Sequence, residues 1–113
     1  MLDAQNKSSY FISCKNNGNH AMNYEWDDTK NAANKAKHGI PFEDMERFDW
    51  DFAICVDAQT VDFEERELWL GPIAANIVAV VTVERENDTV RIVSLRPSTR
   101  AEFTLWKKEI QNG

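Results

Sequence analysis

Cysteine is scarce in this chain and poorly placed for cross-linking. Its two cysteines, Cys14 and Cys55, do not make a disulfide framework. Cys55 falls inside the apolar run "FAICV", where a buried, reduced core thiol is expected. Long hydrophobic runs are missing too, since no stretch approaches the roughly 18 apolar residues of a membrane span. Neither the cysteines with His20 and His38 nor any pair of carboxylates has the spacing of metal ligands. Phosphate-loop, dinucleotide, Ser-His-Asp and Cys-His patterns are likewise absent. A cytoplasmic protein with no metal, no cofactor and no membrane partner is expected.

Positive charge is the other shortage. Thirteen Lys and Arg residues stand against nineteen Asp and Glu, a formal net charge of -6. Setting aside Lys7, Lys15 and Asp3 leaves 11 basic against 18 acidic residues from Met22 onward, or -7. Phosphate neutralisation supplies most non-specific affinity for nucleic acid, so such a function must rest on a local patch. One exists. The stretch "RIVSLRPSTR" packs Arg91, Arg96 and Arg100 into ten positions.

What remains is an ordinary globular composition, 42% hydrophobic with twelve aromatics over 113 residues, the size of a single domain. Residues 1–21 differ, being rich in Asn, Ser and Lys with one apolar patch, Tyr10-Phe11-Ile12. They read as a polar extension with no secretory core, and "SYFISC" is the only strand they could supply. Residues 22–113 read as the domain proper.

Within it, "YEWDDTKNAANKAKHGIPF" predicts a helix. Asp27 or Asp28 caps its first turn, Lys37 and His38 fill the last, and Gly39 stops it. "PFEDMERF" predicts a second short helix with Pro41 near its start. "FAICVD", "RELWLG", "IVAVVTVE" and "VRIVSLR" predict four antiparallel strands, the third apolar on both faces and therefore central. The last two are joined by the polar turn "RENDT". Thr99 and Glu102 fit the capping box of a terminal helix, which Phe103, Trp106 and Ile110 would dock on the sheet. The class is α+β.

Strand alternation separates the arginines. Arg91 shares a face with Val93 and Leu95, and Arg96 with Ile92 and Ser94, unless the strand end twists or bulges. Arg100 falls in the first turn after a cap, where the helix dipole disfavours a cation but a helix N-terminus receives anions. The competing reading leaves Arg100 in solvent or paired with one of many carboxylates. Arg66 alternates with Leu68 and Leu70 in "EERELWLG", either as a strand-end ion pair or as an inward-aimed site residue.

From Tyr24 to about Glu109 the chain resembles the BrnT family of type II toxin–antitoxin toxins. Trp26, Asp27, Lys30, Asn34, Lys37, His38 and Gly39 match that family's opening block. Arg66 and Gly71 match its middle segment, and Arg91, Ser94, Arg96 and Glu102 its closing strand and helix. The resemblance implies a RelE-like fold and a metal-independent endoribonuclease that inhibits translation. It also implies a ribbon–helix–helix antitoxin of the BrnA kind, through which alone DNA is contacted. On that footing Arg66, Arg91 and Arg96 are the catalytic residues, serving the scissile phosphate of RNA. Arg100, Lys37 and His38 are substrate-binding residues.

The chain departs from the family where Pro97 follows Arg96, in a terminal helix without tyrosine, and in its acidic balance. A degenerate toxin that keeps antitoxin binding but cuts RNA poorly is the second reading, and a pure interaction module on the same fold is the third. Arginines surviving as a positive patch favour the nuclease. Arginines all paired with carboxylates favour the others.

Overall fold

A computed structural model describes residues 23–86 and 88–112. The polar extension, with "SYFISC", Cys14 and His20, lies outside the described residues, as does Asn87 of the hairpin turn. The first element is a strand, β1 (Asn23–Glu25), followed by helix α1 (Asp28–His38). Two 3-10 turns, Phe42–Arg47 and Trp50–Phe52, lead into strands β2 (Ile54–Val61), β3 (Glu64–Ile73), β4 (Asn76–Arg85) and β5 (Thr89–Pro97). Helix α2 (Arg100–Asn112) closes the fold.

The ends of α1 are set by local chemistry. Asp27 accepts from the amides of Thr29 and Lys30 at 2.8 and 3.1 Å. Those two bonds, the Lys30 amide foremost, hold its carboxyl below the usual range. Gly39 takes the left-handed conformation, φ 78°, and its amide donates to the Lys35 carbonyl.

The second predicted helix is instead a 3-10 helix. Phe42, Met45 and Phe48 recur every third residue and are 0, 0 and 5% exposed. A 3-10 helix has three residues per turn, so it delivers all three side chains to one core where an α-helix would fan them out.

The sheet is five-stranded and mixed, in the order β1-β5-β4-β3-β2, not a four-stranded antiparallel meander. The meander itself is present, with β4 central. The added strand is β1, which pairs parallel with β5 from Asn23↔Thr89 to Glu25↔Arg91. Three residues are too few to show alternation, and the strong helix signal beginning at Asp27 masked them. One core, built by Phe42, Met45, Phe48, Trp50, Trp69, Val80, Val90, Ile92 and Leu95, fills the first face of the sheet. Trp50 donates to the Tyr24 hydroxyl at 2.7 Å, and burial pushes that phenol up. Gly71 is required by close approach, because a Cβ there would lie 2.6 Å from Phe48 Cζ.

Helix α2 docks more loosely than expected. Trp106 and Ile110 are half-buried, and the Trp106 indole donates to the Phe52 carbonyl at 2.6 Å. Phe103 is 43% exposed, and the helix has no fully buried residue. Cys55 is a second correction. It is exposed, because β2 is an edge strand and an apolar run there is covered only in part. Desolvation of its sulfur, with Glu67 and Asp57 nearby, pushes the thiol up to about 11, so it is no nucleophile at neutral pH.

Candidate anion-binding face

Residues paired across a ladder share a face. Val83, Val81 and Ala79 of β4 alternate onto the face opposite the main core. Their β3 partners are Arg66, Leu68 and Leu70, and their β5 partners are Arg91, Ser94 and Arg96. Simple alternation would split Arg91 from Arg96. The register shifts by one residue between Ile92 and Ser94, and this bulge resets the parity. Burial follows suit: Val90, Ile92 and Leu95 are buried, while Arg91, Ser94 and Arg96 are half-buried. All three arginines therefore share one face.

They do not converge on one point. Arg66 and Arg91 flank Val83 in a single row, so their Cα atoms stand about 10 Å apart, two strand spacings. Arg96, opposite Ala79, lies four β4 residues further along, about 13 Å from that row.

The row is threaded by carboxylates. Glu25 Oε2 accepts from Arg91 Nη1 at 3.1 Å and lies 3.5 Å from Arg85 Nε. Glu64 Oε2 accepts from Arg85 Nη1 at 3.3 Å, and Glu64 Oε1 is 3.9 Å from Arg66 Nη2. The order is Arg66, Glu64, Arg85, Glu25, Arg91. Arg66 has the loosest tie, and its Nε is buried without a hydrogen-bond partner. It borders a hollow of about 270 Å³ lined also by Asp57, Gln59 and Leu68.

Neither Arg85 nor Glu25 stands out in the sequence. Arg85 opens the polar stretch "RENDT", although it ends β4 and continues the Val81, Val83 alternation. Glu25 hides beside the helix signal.

Arg96 does different work. Its guanidinium grips Glu102 at the start of α2 through two bonds of 2.8 and 2.9 Å. Glu102 also accepts from the Thr99 amide at 2.9 Å, while its own amide donates to Thr99 Oγ1 at 3.1 Å. The predicted capping box is thus locked to the sheet. Arg96 above all, with the Thr99 amide, holds the Glu102 carboxyl at about 2, below its ordinary 4.5. A carboxyl lowered on folding stabilises above its unfolded value and loses that contribution as pH falls through the folded one. Glu102→Gln should therefore cost about 1–2 kcal/mol at pH 7. The gap to the parent should close between pH 5 and pH 2, in thermal melts at stepped pH. A gap constant with pH would mean that packing, not the ion pair, is lost.

The remaining basic residues stand apart. Arg100 is exposed at the first turn of α2, and among the described residues no ion pair engages it. Lys37 is exposed and His38 half-buried in the last turn of α1, the helix that packs on β5. Among the described residues no three His, Cys, Asp or Glu are grouped to hold a metal ion.

The family model described as ribonuclease toxin, BrnT, of type II toxin-antitoxin system matches residues 26–102. The crystal structure of the Brucella abortus ribonuclease toxin, BrnT, superposes with a TM-score of 0.58 at 26% sequence identity. It covers 70% of this chain and 99% of that one. A search of curated proteins gives no match.

Proposed function

Because the chain belongs to the BrnT family of ribonuclease toxins from type II toxin–antitoxin systems, we propose that it is an endoribonuclease that cuts RNA without a metal ion and thereby inhibits translation. One observation carries this reading: Arg66 and Arg91, paired on either side of Val83, stand in one row on one face, with Arg85 on the strand between them. An RNA strand laid along the row would meet guanidinium forks suited to phosphate oxygens. In the cut, the ribose 2'-hydroxyl loses its proton to water and attacks the neighbouring phosphorus. The bond to the 5'-oxygen breaks, and that oxygen takes a proton from water, leaving a 2',3'-cyclic phosphate. Arg66 and Arg91 stabilise the charge that builds on the phosphate oxygens. Arg96 positions α2, and Arg100, exposed beside it, extends the basic track. Lys37 and His38, on α1, would serve only a strand that wraps past the β5 edge.

A toxin of this class has an antitoxin as its counterpart. For this chain we propose a ribbon–helix–helix protein with a basic segment, complementary to the acidic surface. Phe52, Phe103 and Leu105, 50, 43 and 40% exposed, are apolar contacts for it to cover. Promoter DNA is then met only through the antitoxin.

One observation favours the degenerate reading, because each of the three arginines already has a carboxylate within 4 Å. The two readings part in one assay. A model RNA incubated with the protein in excess chelator should be cut, and induction should arrest growth. An intact thermal melt with neither cleavage nor arrest would establish the degenerate toxin.

A further inference from the structure

The carboxylates in the arginine row are arranged unevenly. Glu25 sets a single oxygen, Oε2, against two guanidiniums, 3.1 Å from Arg91 Nη1 and 3.5 Å from Arg85 Nε. An anionic oxygen shared by two guanidinium forks is how an arginine pair holds a phosphodiester oxygen. Glu64 repeats the pattern, facing Arg85 through one oxygen and Arg66 through the other. Among the described residues, Arg85 alone pairs with both. It is also the most accessible of the three, its side chain 46% exposed against 32% for Arg66 and 34% for Arg91.

We propose that Arg85 is a phosphate-contacting residue of this face, and that Glu25 and Glu64 occupy the places of phosphate oxygens until an RNA backbone displaces them. The proposal rests on reading the face as a phosphate site. Arg85 bridges the roughly 10 Å between Arg66 and Arg91, a gap that one phosphate cannot span. Ion pairs this exposed are weak in water, so exchanging them for a phosphodiester meets little resistance. Self-occupation also reconciles a nuclease face with a net charge of -6. The free protein shows solvent a row whose charge is largely cancelled, and the positive patch emerges only when the two carboxylates turn away.

The competing role for Arg85 is structural, tying β1 and β3 to the end of β4. Binding and melting separate the two. The probe is a 2'-O-methyl RNA oligonucleotide, which cannot be cut because the attacking hydroxyl is blocked. Glu25→Gln with Glu64→Gln should bind it about tenfold more tightly than the parent. Adding Arg85→Met, which keeps the aliphatic stem, should remove about tenfold and lower the salt slope of binding by about 0.7. Its melting temperature should stay within a few degrees of the double variant. Unchanged affinity on adding Arg85→Met overturns the assignment, as does a double variant that binds no better than the parent. If Arg66→Met and Arg91→Met abolish binding while Arg85→Met does not, the nuclease face stands and Arg85 is structural. If Arg85→Met removes binding but the parent never cuts an unmodified RNA, the phosphate site stands and the nuclease reading fails. Competition by inorganic phosphate at concentrations well below those of added salt would point to a free-anion site and overturn the RNA backbone as the ligand.

Discussion

Replacing Arg91 by Ala is expected to slow RNA cleavage about a hundredfold and leave the fold in place. Removing one preorganised donor to a developing oxyanion typically costs about 3 kcal/mol of transition-state stabilisation, which is that factor in rate. The stability side is small for an identifiable reason. Arg91 is one-third exposed, and among the described residues it is ion-paired with Glu25, itself 39% exposed. Pairs of that kind contribute about 0–1 kcal/mol. Arg66→Met should behave alike, the methionine keeping an aliphatic stem on the wall of the hollow that Arg66 lines with Leu68. Arg96→Ala should show the reverse pattern. It breaks a two-bond lock on the first turn of α2, so it should lower the melting temperature, with cleavage falling only as far as the folded fraction does. Initial cleavage rates on one model RNA, beside melts of each variant, supply the comparison. Equal losses of activity for Arg91→Ala and Arg96→Ala at unchanged stability would put the reacting phosphate between them, and not in the Arg66–Arg91 row.

Much of this was legible in the residues because it is local. The caps of α1 at Asp27 and Gly39, the Thr99–Glu102 box and the four strands of the meander each depend on side chains a few positions apart. What was not legible depends on register. Nothing in "RIVSLR" announces that Val93 is taken up in a bulge, yet that single residue decides whether Arg91 and Arg96 share a face. The row of Arg66, Arg85 and Arg91 draws on three strands, and its carboxylates come from β1 and β3. Alternation within one strand cannot show which residues of its neighbours stand opposite. Cys55 failed for a related reason, since an apolar stretch looks the same at an edge as at the centre. The family resemblance points to Arg66, Arg91 and Arg96 but passes over Arg85, which the ion-pair chain places between the first two.

Asn34 belongs to that family block, and the structure gives it a structural task whose removal should be costly. Among the described residues, strand β5 has β1 beside it only as far as Arg91, and no strand pairs with its edge beyond that point. The Asn34 carboxamide fills the gap. It donates to the Leu95 carbonyl at 2.7 Å, accepts from the Leu95 amide at 3.2 Å, and donates to the Ile40 carbonyl at 3.0 Å. One side chain thus stands in for one residue of a missing strand, and it also ties the end of α1 to the sheet. Asn34 is 8% exposed and Leu95 wholly buried, so water is poorly placed to replace it. Asn34→Ala should destabilise by about 3 kcal/mol, since the buried amide and carbonyl of Leu95 each lose a partner. That is a large share of the 5–15 kcal/mol that holds a domain of this size. Asn34→Asp makes the test sharper. It keeps an acceptor for the Leu95 amide but turns anionic oxygens toward two carbonyls that need donors. The ionised form should therefore be at least as unstable as the alanine variant at pH 7. Burial and the facing carbonyls raise the carboxyl above its unfolded value, so the variant should recover as pH falls, when a protonated acid regains one donor. Denaturant melts at pH 7 and pH 4 decide the matter. An alanine variant within 1 kcal/mol of the parent, or an aspartate variant with the parent's own pH dependence, would mean that the β5 edge does not need its carboxamide plug.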